Sequence, residues 1–109
     1  MAVSEKLRDQ VTRKLRVTWD DPDTKSLIED DIIPSAEAVL AERIGIPPEK
    51  QFDFSDPGME NELLLALCFY KWNDAEDEFY ANYEEQIAQA RRKWEVLQYV
   101  EETTQAPDV

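Results

Sequence analysis

Apolar residues recur in steps of three and four along most of the chain, which predicts helices. The most apolar run is Leu63-Leu64-Leu65-Ala66-Leu67-Cys68-Phe69-Tyr70. A polar break follows at Asn73-Asp74, and then Phe79, Tyr83, Ile87, Ala90, Trp94 and Leu97 draw a second stripe. Nearer the start, Ser4 is placed to cap a helix that carries Leu7, Val11 and Leu15 on one row. Asp21 and Pro22 suit the cap and first turn of another helix, running to about Arg43 with Leu27, Ile28, Ile32, Ala36, Val39 and Leu40 inward. Pro34 lies inside that helix and removes one hydrogen bond, so a kink is expected near Ile33. Gly45 suits its C-terminal stop.

A third helix is expected from about Pro57 to Trp72, capped by Ser55 or Asp56. Asp74 then stands where it would cap a fourth, ending near Tyr99 or Glu101. The row Cys68, Trp72, Ala75, Phe79 also crosses the break, so one bent helix is the alternative. Between Ile46 and Gly58 the chain is irregular, with Pro47, Pro48 and Pro57. Phe52 and Phe54 read there as loop anchors on the core in preference to a short strand. The expected fold is all-α: a small bundle of about four helices with long C-terminal helices. One domain spans residues 1–109, with a core over about 4–100 and a frayed tail at 101–109.

Composition agrees with this pattern. The chain has 109 residues, 42% of them hydrophobic, which suffices for one modest core that would gain from oligomerisation. Only two glycines argue against a turn-rich β fold. The net charge of −13 is unevenly spread. Residues 1–18 hold five basic and two acidic side chains, residues 20–31 six acidic and one basic, and residues 55–85 nine acidic and one basic. A surface dominated by carboxylates does not grip DNA phosphates. No apolar run is long enough for a membrane span and no signal-peptide pattern is present, so a protein made in a reducing cytoplasm is expected.

Candidates for chemistry are few. Histidine is absent, which removes the commonest general base. Cys68 is the one cysteine; it sits in the apolar run without a histidine partner and reads as a buried thiol. The acidic run from Asp20 fails the EF-hand pattern, because its sixth and twelfth positions are Lys25 and Asp31 where glycine and glutamate are needed. Asp53 with Asp56, and Asp74 with Asp77, form D-x-x-D pairs of the kind that hold Mg²⁺ in all-helical nucleotide pyrophosphohydrolases. The first pair falls in a proline-containing loop and the second serves equally as a helix start. The aromatic residues Phe69, Tyr70, Trp72, Phe79, Tyr80, Tyr83 and Trp94 could stack bases, but the surrounding negative charge favours core and subunit interface. No catalytic residue, metal or cofactor is therefore assigned, and no enzymatic activity is expected.

Three stretches together resemble a known family: Ile33-Pro34-Ser35-Ala36-Glu37-Ala38-Val39-Leu40-Ala41-Glu42-Arg43-Ile44-Gly45, then Leu63 through Ala75, then Phe79, Asn82-Tyr83 and Arg91. Over roughly residues 5–95 the chain is similar to the head–tail connector (adaptor) proteins of tailed bacteriophages and prophages. The resemblance implies a structural virion protein at the head–tail junction, assembled in the bacterial cytoplasm. It implies a mostly helical subunit, closing into a ring of about a dozen copies beneath the portal protein. Such a ring meets a tail-side completion protein and lets DNA pass without specific binding. The charge map suggests how subunits or portal would meet. Leu7, Val11 and Leu15 would supply an apolar row, with Arg8, Arg13 and Arg16 on one side facing Asp74, Asp77 and Glu78 on the other. The alternative is that the N-terminal helix folds back on its own core. A different reading altogether is an acidic DNA mimic that inhibits a DNA-binding protein.

Overall fold

The computed structural model describes residues 4–17, 21–47, 49–50 and 52–105, with side chains through Val100. Ser4 opens α1 (Glu5–Leu15), its hydroxyl accepting from the Leu7 N–H at 3.1 Å. Asp21 opens α2 (Pro22–Ser26) in the same way, accepting from the Thr24 N–H at 3.2 Å. The chain then widens into a π-helical turn (Leu27–Ile32) and tightens again into α3 (Ile33–Ile44). Pro34 explains the widening. It has no N–H, and its ring crowds the carbonyl four residues back. The Ile33 N–H reaches Ile28 O, five residues back. The expected kink is thus a π turn just upstream of the proline, and the helical path continues from 22 to 44.

Two expected caps are not used. Ser55 is buried, and its hydroxyl donates to Asp53 Oδ1 at 2.6 Å, so it does not cap α4 (Met59–Trp72). Gly58 precedes that helix at φ 156° and ψ −174°, backbone that glycine adopts readily. Asp74 caps nothing either. It sits in the left-handed region at φ 59°, at the end of α4. Its N–H bonds Lys71 O at 3.1 Å and the next N–H, of Ala75, bonds Tyr70 O at 2.8 Å. That pair is a Schellman stop, usually built on glycine. Arg16 closes α1 likewise at φ 59°, with N–H bonds from Arg16 to Arg13 O and from Val17 to Thr12 O.

After this stop come α5 (Glu76–Asn82) and α6 (Glu84–Gln105), separated at Tyr83. The bundle thus has five helical rods where about four were expected, because the last stripe is broken once. No strand occurs among the described residues, and Phe54 is a buried anchor with Phe52 packed edge-on to it at 5.0 Å.

The core forms around α4, whose Leu63, Leu64, Ala66, Leu67 and Cys68 are buried. It packs against α1, the π turn, α3, α5 and α6. Two polar latches cross this core. Asn61 donates to Gln10 Oε1 and to Phe54 O, and Gln10 donates to Ser55 O, which ties α1 to the loop and α4. Glu60, 5% exposed, accepts from Trp94 Nε1 at 3.0 Å and pairs with Lys93, which ties α4 to α6.

Candidate interaction surface

The two acidic blocks, distant in sequence, meet in space. Asp30 and Asp31 of the π turn share one open cleft with Asp74 and Glu76, floored by Ile32, Pro34 and Ser35. A neighbouring depression continues over Ala75, Asp77 and Glu78. Lys71 is the single cation of the cleft and pairs with Glu76 at 2.9 Å. Glu76 also accepts from the Tyr80 hydroxyl, and Arg43 lies 3.9 Å over the Tyr80 ring. The Tyr80 and Lys71 bonds hold Glu76 below the usual carboxylate range. Burial and the neighbouring carboxylate push the Tyr80 hydroxyl up to about 12. Convergence of the two blocks follows from α3: its first turn, after the π turn, lies beside the end of α4.

Two cations of α1 are engaged within the chain. Lys14 lies 5.9 Å over the ring of Phe69, which precedes Asp74 by less than two turns of chain. Arg8 pairs with Glu29 at 3.1 Å, next to Asp30 in sequence. Arg13 and Arg16 are exposed. The apolar row expected at an interface is spent inside: Leu7, Val11 and Leu15 are 2%, 0% and 6% exposed, against α4 of the same chain. α1 therefore folds back on its own core, because its narrow stripe matches the apolar face of α4.

The aromatic residues of the resembling stretch build the corner between α4, α5 and α6. Phe79 is fully buried and stacks on Tyr83 at 4.9 Å, with Tyr70 edge-on to both rings at 5.9 and 6.0 Å. Asn82 donates to the Tyr70 hydroxyl at 3.2 Å. Burial, with Glu37 adding, pushes the Cys68 thiol up to about 12, so it carries no thiolate chemistry at neutral pH. The D-x-x-D pairs are not helical pairs: Asp74 lies outside any helix, and Asp53 accepts the hydroxyl and N–H of Ser55. Among the described residues no group of three or more metal-ligating side chains comes together, and no helix is long and apolar enough to cross a membrane.

One surface was not singled out in the sequence. Beyond Trp94, α6 carries Val96, Leu97, Tyr99 and Val100 at 61%, 44%, 69% and 51% exposed. Between them Gln98 donates to Gly45 O at the end of α3. No family model, no curated protein and no solved structure matches this chain.

Proposed function

We propose that this chain is a structural assembly protein of the head–tail connector kind, a subunit of a ring beneath a phage portal. The observation that carries the reading is the union of both acidic blocks in one exposed cleft. A ring that lines a DNA channel must not hold the phosphates that slide past, and clustered carboxylates repel them. The same cleft offers a neighbouring subunit, the portal or the tail-side protein a charged surface that sets register. Exposed Arg13 and Arg16 on α1 supply the opposite sign. The role requires no catalytic step, and the resemblance at Leu63–Ala75 and Phe79–Tyr83 supports it, since those residues form the corner that sets the helix directions.

The test is electron microscopy of the purified chain mixed with a portal. The expected result is an added ring on the portal, weakened by Asp30→Lys with Asp74→Lys. Absence of any added density, at protein concentrations in large excess, overturns the reading. The same cleft also favours a DNA-mimic role. That reading instead expects a complex with a DNA-binding protein from which duplex DNA displaces the chain.

A further inference from the structure

We propose that copies of this chain stack head to tail, the cationic flank of α1 in one copy entering the acidic cleft of the next. The inference rests on the reading of that cleft as a docking surface and adds its partner, a second copy of the chain.

The two surfaces face apart. Arg8 reaches Glu29 in the π turn, the segment that carries Asp30 and Asp31. Gln10, two residues on and so turned about 200° around the helix, donates to Ser55 O. Arg13 and Lys14 stand one turn after Gln10 and share its flank. α4 repeats the division. Lys71 lines the cleft, whereas Phe69, again about 200° away, carries Lys14 over its ring. One copy thus shows these cations on one side and the cleft carboxylates on the other. Two different complementary faces give a heterologous contact.

Charge selects the occupant. Arg13 and Lys14 are exposed, and among the described residues the ion pairs of α1 belong to Arg8, with Glu5, Asp9 and Glu29. Phe69, 39% exposed, adds an aromatic surface beneath Lys14. The cleft offers the converse: Asp30, Asp31 and Asp74 around a floor of Ile32 and Pro34. Cations meet carboxylates, and the Phe69 ring meets the apolar floor. Arg8 and the row Leu7, Val11 and Leu15 take no part, being engaged inside the chain. Duplex DNA fits the cationic flank poorly, because so extended a polyanion would also meet the rest of a surface of net charge −13. Between two copies the same net charge matters less. At about 0.15 M salt the field decays over about 8 Å, so distant repulsion is largely screened while pairs in contact persist.

Sedimentation velocity of the full chain at about 0.15 M salt, over a wide range of concentration, tests the stacking. A concentration-dependent series of species is expected. Arg13→Gln with Lys14→Gln removes one face, and Asp30→Asn with Asp74→Asn removes the other. Each pair should weaken association about tenfold, as loss of two exposed charge contacts does. Helical circular dichroism should stay unchanged, because the four side chains are exposed. At a concentration where each variant alone is monomeric, an equimolar mixture should form a dimer and nothing larger, from the intact flank of one and the intact cleft of the other. A monomer at every concentration overturns the inference. So does association that ignores both variants, or a mixture that stays monomeric. If the chain still adds a ring to the portal in those cases, the connector reading stands without the stacking. A chain that stacks as expected but adds nothing to the portal sinks the connector reading alone.

Discussion

The two halves of α6 have similar apolar content and opposite fates. In the first half, Ala90 and Trp94 are 0% and 6% exposed, and Phe52 packs edge-on to Trp94 at 5.4 Å. In the second half, Val96 and Tyr99 are mostly in solvent. Helix propensity does not separate them. Position relative to α3 does: α3 stops at Gly45, level with Gln98, and Val96 and Val100 lie exposed on either side of that point. An apolar side chain is core only where a second element reaches it.

The largest effect that sharpens this contrast is expected at Trp94. Trp94→Ala empties a packed site and leaves Glu60 short of a donor, so urea unfolding should show a loss of about 3–5 kcal/mol. Next comes Glu60→Ala, which strands the buried Trp94 N–H and breaks the pair with Lys93, for a loss of about 2–4 kcal/mol. Burial raises the pKa of Glu60, but the bonds from Lys93 and Trp94 outweigh it and hold the group below its ordinary value. Its contribution is therefore complete above the unfolded carboxylate pKa of about 4.3 and is lost as pH falls through the lower folded value. Acid titration of stability should be shallower in Glu60→Ala than in the parent.

A smaller effect of opposite sign is expected at Asp74. Asp74→Gly relieves a left-handed residue and removes a negative charge from the end of α4. It should stabilise by about 0.5–1 kcal/mol, read as a higher urea midpoint. The smallest effect belongs to the far half of α6. Val96→Glu with Val100→Glu should shift stability by less than about 0.5 kcal/mol per site. A loss as large as that at Trp94 would mean that the two halves do not differ.

Local chemistry made much of the fold legible. Ser4, Asp21-Pro22 and Gly45 mark helix ends by side-chain hydrogen bonding, a fixed φ or a positive φ, all of which act within a few residues. The apolar rows identified the core, including Leu7, Val11 and Leu15, but a row does not name its partner. Two partners stood open for that row, a neighbour or the chain's own core, and it packs on α4 of the same chain. Asp74 misled for a related reason: aspartate is both a good N-cap and a tolerated left-handed stop, and Lys71 and Tyr70 carbonyls decided between them. The meeting of Asp30 with Asp74 was illegible because it depends on how the π turn and α3 set the helix directions. The exposed half of α6 was illegible because the stripe continues through Leu97 and gives no sign of where α3 ends.

Cys68 has a practical consequence for site-directed labelling. It is the chain's one thiol, 0% exposed and held protonated. Maleimides and spin-label thiosulfonates should pass it by in the native protein. A cysteine placed at Val96 would then be the sole reactive handle, and a nitroxide there would report the surroundings of α6 without a cysteine-free background having to be made first.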